Sequence, residues 1–94
     1  MPKFVIERGL LGIGGSTGEE LRATAQKSCA VLGEMGPRVQ WVQSYVTEDK
    51  LYCVYVADDP ESVSEHARRG GFPADRIAAV SAIIDSTTAE GLLE

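Results

Sequence analysis

The chain has 94 residues, of which 44% are hydrophobic and 24% charged, and it carries a formal net charge of −5. This length fits one domain, and the composition is typical of a folded globular protein rather than a disordered one. The acidic charge argues against nucleic acid and anionic membranes as partners, because both are bound through concentrated basic surfaces, whereas a cationic or metallic partner is compatible with it.

The first strand is predicted over residues 3–8, with Phe4 and Ile6 on one face and Glu7 on the other. The glycine-rich segment 9–16 follows it. This segment lacks both the third glycine of a dinucleotide-binding fingerprint and the lysine of a phosphate-binding loop. We therefore predict a mobile loop tip there rather than an anion site.

The first helix is predicted to begin at a capping box, in which Thr17 is the N-cap and Glu20 the N3 residue. Small and apolar residues then recur at helical spacing. Their stripe includes Cys29, so this cysteine is predicted to lie in the core. The helix is expected to end near Gly33 or Gly36.

Two strands rich in β-branched and aromatic residues, 38–46 and 51–57, flank a polar turn and predict a β-hairpin. Regular alternation along the first of them places Trp41 and Tyr45 on the same face. The sequence does not determine which face of the sheet Cys53 occupies, because a shift of one residue in the hairpin register would move its side chain to the other face.

The second helix is predicted to begin at Asp59, which provides the N-cap, with Pro60 at the first helical position. It should end near residue 69, before two glycines. Residues 77–85 are predicted as the last strand, although alanines weaken its pattern. Residues 86–94 show no strong pattern and form a tail that is expected to be less ordered.

The element order β-α-β-β-α-β predicts an α+β fold of the ferredoxin-like class. In this fold a four-stranded antiparallel sheet, in spatial strand order 4-1-3-2, carries both helices on one face. The whole chain, residues 1–94, is expected to form this one domain. The other face of the sheet is left open, so we expect a homodimer that covers it.

The first candidate site is on the second helix, where His66, the only histidine, follows Glu65 and lies near Glu61. Imidazole and carboxylates are suitable ligands for a borderline divalent metal such as nickel. The alternative is a solvated helix face that carries charges and one histidine. One histidine cannot form a tight site in a monomer, so a second copy, further carboxylates or water would have to complete it.

The second candidate is a small-molecule pocket on the open sheet face of the dimer. In an enzyme of this kind a desolvated Glu7 would act as a base, and Cys53 could supply a reactive thiolate. The alternative is a solvated Glu7, a core cysteine, and a face used only for assembly. The pocket candidates are Glu7, Trp41, Gln43, Tyr45 and Cys53. Neither a Ser-His-Asp arrangement nor a structural zinc spacing is readable, so catalysis is less favoured than binding.

Several segments together resemble the small actinobacterial nickel-binding proteins that are grouped under a domain of unknown function. The resemblance extends over nearly the whole chain, to about Thr88. It implies a cytoplasmic ferredoxin-like dimer that binds nickel through surface groups, for sequestration or detoxification rather than catalysis. The segments that carry it are residues 4–8 (FVIER), 28–32 (SCAVL), 39–46 (VQWVQSYV), 49–56 (DKLYCVYV) and 65–75 (EHARRGGFPAD).

Two positions depart from the family pattern. Position 43 is commonly histidine in the family and is Gln43 here, and position 29 is commonly asparagine and is Cys29 here. The first change removes an imidazole and so removes a strong potential metal ligand. Glu7, Cys53 and His66 match the pattern at their positions.

The cellular location is predicted from what the sequence lacks. No stretch approaches the roughly 18 consecutive apolar residues of a membrane span. Glu7 and Arg8 interrupt the N-terminus where a signal peptide needs an apolar run. We therefore expect a cytoplasmic protein, in which Cys29 and Cys53 are free thiols rather than a disulfide.

Overall fold

A computed structural model describes residues 1–91, and its elements follow the predicted order. Short 3₁₀ turns occupy Ile13–Gly15, Gly36–Arg38 and Ser86–Glu90. The end of the predicted tail, residues 92–94, lies outside the described residues. The strands are β1 (Lys3–Gly9), β2 (Val39–Val46), β3 (Lys50–Ala57) and β4 (Arg76–Ala79), and the helices are α1 (Gly18–Met35) and α2 (Pro60–Gly70).

The four strands form one antiparallel sheet in the order β2-β3-β1-β4, which is the predicted order read from the other edge. Alternate residues of the two central strands are buried beneath the helices. Phe4 and Ile6 of β1 and Tyr55 of β3 belong to this core, together with Val63 of α2. The α+β fold is therefore ferredoxin-like, as predicted.

Local capping fixes where both helices begin. The Thr17 hydroxyl accepts a hydrogen bond from the Glu20 N–H at 3.1 Å, and the Glu20 carboxylate accepts one from the Thr17 N–H at 2.9 Å. This reciprocal pair is the predicted capping box. At α2 the Asp59 carboxylate accepts from the Ser62 N–H at 2.7 Å. These three hydrogen bonds satisfy backbone donors at the helix starts, which have no partners within the helices.

The glycine-rich segment after β1 is bound to the hairpin turn rather than forming a free tip. The N–H groups of Leu10 and Gly14 donate to the carbonyls of Asp49 and Glu48, each at 2.9 Å. The Gly12 N–H donates to the Asp49 carboxylate at 2.8 Å. A Cβ at Gly14 would lie 2.8 Å from the Glu48 Cα, so glycine permits this close approach of two backbones.

Two further predictions are wrong: the extent of the last strand and the burial of Cys29. The last strand is predicted over residues 77–85, but β4 ends at Ala79 because its antiparallel partner β1 begins at Lys3 and offers no further residues to pair with. Ala79 pairs with Phe4, and the Val80 N–H donates to the Lys3 carbonyl at 2.8 Å. Cys29 is exposed rather than buried, because α1 turns a different stripe of side chains, including Ser28, toward the core.

A β-bulge at Val42 changes the faces of β2. Trp41 lies opposite Tyr55 and Gln43 lies opposite Val54, so Val42 is an extra residue between them. A bulge of this kind inverts the alternation of side chains beyond it. Trp41 therefore faces the helices while Tyr45 faces the open side, and the prediction that they share a face is wrong.

Within residues 1–91, no helix combines the length and the apolar composition that are needed to cross a membrane.

Candidate functional site

The three predicted metal ligands on α2 do not converge in one chain. His66 is fully buried, Glu65 is half-buried and Glu61 is exposed. The two glutamates border a shallow surface depression that also includes Arg38, whereas the imidazole lies on the core side of the helix. In the part of the chain that the structure describes, no group of three or more His, Cys, Asp or Glu side chains could hold a metal ion.

The carboxylate of Glu65 is hydrogen-bonded to two arginines of the same helix. Its carboxylate oxygens accept from Arg68 Nε at 2.9 Å and Nη2 at 2.6 Å, and from Arg69 Nε at 2.7 Å. These hydrogen bonds and positive charges hold the pKa of Glu65 down to about 2. The carboxylate is therefore ionised, as a metal ligand must be, but an incoming cation would compete with both guanidinium groups.

The imidazole of His66 is enclosed between α2, α1 and the sheet. Its Nε2 atom lies 3.1 Å from the Oγ atom of Ser28, and its ring packs against Tyr55 and Phe72 at centroid distances of 5.2 and 5.6 Å. Its Nδ1 atom has no hydrogen-bond partner among the described residues. Burial, reinforced by the nearby charge of Arg8, lowers the pKa of His66, so the neutral imidazole is favoured.

The five predicted pocket residues divide between the two faces of the sheet. Glu7, Gln43 and Tyr45 lie on the open face. There the Glu7 carboxylate is 3.4 Å from the Lys50 ammonium, and the Gln43 amide donates to the Tyr45 hydroxyl. The hairpin register places Cys53 among the buried residues of the helix face. These residues therefore do not line one pocket.

A cavity of about 210 Å³ lies instead on the helix face, between α1 and the sheet. Its walls are predominantly apolar, and Trp41 and Cys53 form part of the sheet side. On the helix side it is bordered by Leu21 and Ala25, which are half-buried. Two of the five predicted pocket residues, Trp41 and Cys53, thus line this cavity on the helix face.

Arg8 is the residue in this cavity that the sequence analysis did not single out. Its side chain is among the largest that are fully buried, with the residue 2% exposed. The guanidinium donates to the Pro73 carbonyl and, at 3.4 Å, to the Tyr55 hydroxyl, and it lies 5.5 Å from the centroid of the Phe72 ring. A signal was present, because Arg8 follows Ile6 with the period of two that marks the core face of β1.

Comparison with known proteins places the chain in a family. A family model described as nickel responsive protein SCO4226-like matches residues 4–80. The chain belongs to this family. The crystal structure of SCO4226 from Streptomyces coelicolor A3(2) matches with a TM-score of 0.72 and 26% sequence identity, and the match covers 87% of this chain and 99% of that chain. No curated protein matches the sequence. The predicted resemblance to a small actinobacterial family is confirmed.

Proposed function

We propose that this protein is a non-catalytic nickel-binding protein that acts as a cytoplasmic homodimer and sequesters the metal. The observation that carries the proposal is the match of residues 4–80 to a family described as nickel-responsive. The net charge of −5 also favours a cation over an anion at the surface.

The proposed metal site takes its ligands from more than one chain or from water. Nickel accepts imidazole and carboxylate ligands, yet no three such groups converge within residues 1–91. Glu61 and Glu65 provide carboxylates at the surface of α2, and Glu7 provides one on the open sheet face. His66 stays a proposed ligand only if α2 moves, because its ring is enclosed by the core.

Uncovered apolar side chains support the homodimer. Tyr45 on the open face is 56% exposed, and Ile83 and Ile84, which follow β4, are 64% and 73% exposed. The radius of gyration is 14.6 Å, which is larger than the value of about 12 Å for a compact chain of this length. A single copy is therefore extended and leaves surface that a second copy could cover. A second copy on the open face would remove Tyr45 from water and bring two copies of Glu7 toward one another, and Ile83 and Ile84 offer it further exposed apolar surface.

Calorimetric titration of the metal-free, tag-free protein with Ni²⁺, Zn²⁺ and Co²⁺ tests the proposal. A tag must be absent because it supplies its own histidines. We expect saturable nickel binding, which is weakened in the Glu61→Gln/Glu65→Gln variant. The matched control is Glu34→Gln/Glu90→Gln, which removes the same charge from exposed sites elsewhere.

The His66→Gln variant distinguishes the contribution of the imidazole to nickel binding from that of the carboxylates. Loss of nickel binding in folded His66→Gln protein would assign His66 as a ligand, whereas unchanged binding would exclude it. Absence of saturable nickel binding by the unaltered protein would contradict the proposed function itself.

A further inference from the structure

The cavity between α1 and the sheet combines apolar walls with a buried cation. Apolar side chains surround it on three sides, from the loop after β1, from α1 and from the hairpin. Thr24 and Val46, which border it, are exposed, so the cavity reaches the surface. Arg8 lies at its inner end, 2% exposed.

Within residues 1–91, no carboxylate pairs with the guanidinium of Arg8. A guanidinium has five N–H donors, and among the described residues two acceptors are recorded, the Pro73 carbonyl and the Tyr55 hydroxyl. None of the ion pairs within residues 1–91 includes Arg8. Its remaining stabilisation is the contact with aromatic rings, 5.5 Å to Phe72 and 6.0 Å to Tyr55. A charge buried without a counter-ion is costly, so an anion entering here would gain a strong partner.

We propose that this cavity binds a small apolar carboxylate. The carboxylate accepts hydrogen bonds from the free N–H groups of Arg8, since planar guanidinium and carboxylate groups match in a bidentate pair. The Tyr55 hydroxyl accepts from Arg8 and keeps its own proton as a second donor to the ligand. The apolar body of the ligand lies between α1 and the sheet.

The cavity volume sets the size of the ligand. An apolar cavity of about 150 Å³ holds a benzene-sized molecule, and this one is about 210 Å³. A carboxylate with an apolar body of about eight carbons therefore fits. The site is on the opposite face of the sheet from Glu7, and its lining does not include Glu61 or Glu65.

Trp41, the only tryptophan, lines the cavity and reports on its occupancy. We would titrate the tag-free protein with octanoate and with 1-octanol, its neutral analogue, and follow tryptophan fluorescence, with calorimetry as a second readout. Octanoate should bind saturably. In Arg8→Met, which keeps an unbranched side chain but removes the charged guanidinium, octanoate affinity should fall about 10- to 100-fold, the range for a hydrogen bond to a charged group. The affinity for 1-octanol should be unchanged or higher.

The matched control is Arg22→Met, which removes the same charge from an exposed position of α1. It should leave octanoate affinity unchanged, and far-UV circular dichroism establishes that each variant is folded. If Arg8→Met does not fold, Ala25→Phe tests whether octanoate binds in this cavity, because the phenyl ring fills the cavity and leaves Arg8 in place. Octanoate binding should be lost in this variant. Absence of saturable octanoate binding by the unaltered protein would overturn the proposal. So would equal octanoate affinities in Arg8→Met and Arg22→Met, or unchanged binding in Ala25→Phe.

Discussion

The imidazole of His66 and the hydroxyl of Ser28 join the two helices inside the core, with 3.1 Å between Nε2 and Oγ. His66 is 0% exposed and Ser28 is 5% exposed, so water cannot replace either partner. The groups that face the imidazole are the Arg8 cation from β1, the Tyr55 hydroxyl and ring from β3, and the Phe72 ring. Burial and the Arg8 charge lower the pKa of His66 and outweigh the hydrogen bond with Ser28, which raises it, so the neutral imidazole is favoured.

We expect the metal-free protein to lose stability as the pH is lowered from about 7 toward 5. The pKa of His66 is lowered in the folded state from its ordinary value of 6.5. Between the folded and the unfolded pKa, only the unfolded chain takes up the proton. The free energy of unfolding is therefore undiminished above about 6.5 and falls as the pH drops toward the folded value, by about 1.4 kcal/mol for each unit of pKa difference. Urea unfolding at several pH values in this range measures this change in the free energy of unfolding.

The control for this pH effect is His66→Gln, which keeps a polar side chain at the position but has no titrating group there. Its free energy of unfolding should vary much less over the same range. The carboxylates whose pKa values are lowered, such as Glu65 at about 2, remain ionised in the folded state until the pH is far lower. An equal slope in both proteins would show that His66 is not the source.

Ser28→Ala should destabilise the protein by about 1–3 kcal/mol, because it leaves a second nitrogen of the buried imidazole without a partner. Urea unfolding at pH 7.5 measures the change. Ser64→Ala on α2 is the matched control, since Ser64 is exposed and substitutions of this kind alter stability by no more than about 0.5 kcal/mol. Equal effects of the two substitutions would contradict a role for the Ser28 hydroxyl.

Gly70→Ala and Gly33→Ala should have opposite effects on stability. A Cβ at Gly70 would overlap the Phe72 ring, which packs on His66 and Arg8. Forcing extra volume into a packed site costs about 1–3 kcal/mol. Gly33 lies within α1 with nothing inside 4 Å of the added carbon, so alanine there should stabilise the helix by up to about 1 kcal/mol. Thermal unfolding of both variants tests the contrast, which would fail if Gly70→Ala were as stable as the parent.

The proposed homodimer should dissociate when the apolar side chains after β4 are made polar. Ile83→Ser/Ile84→Ser is expected to shift the protein from dimer to monomer in sedimentation equilibrium, because two exposed apolar contacts are lost. Leu11→Ser is the control, since Leu11 is 94% exposed but lies on the loop beside the hairpin turn. A parent protein that is monomeric at high concentration would refute the dimer.

Much of the fold was readable from local signals. The Thr17 capping box, the Asp59-Pro60 start of α2 and the β-branched hairpin strands each depend on residues that are neighbours in the chain. Local preferences of this kind act before tertiary contacts form, so they identified the elements and their order. The element order then left few ways to arrange a four-stranded sheet. Glu7 on the open face also followed from alternation alone.

The site was decided by the tertiary structure. The bulge at Val42 has no sequence signal, because an extra strand residue shows itself only when a partner strand fails to match it. That one residue turned Trp41 toward the helices and left Tyr45 on the open face. His66 was read as a surface ligand because a histidine on a charged helix has no local mark of burial. What encloses it is the distant pair Ser28 and Tyr55. The sequence by itself thus determined the elements and their topology, whereas the burial of Arg8 and His66 and the cavity beside them depend on packing between residues far apart in the chain.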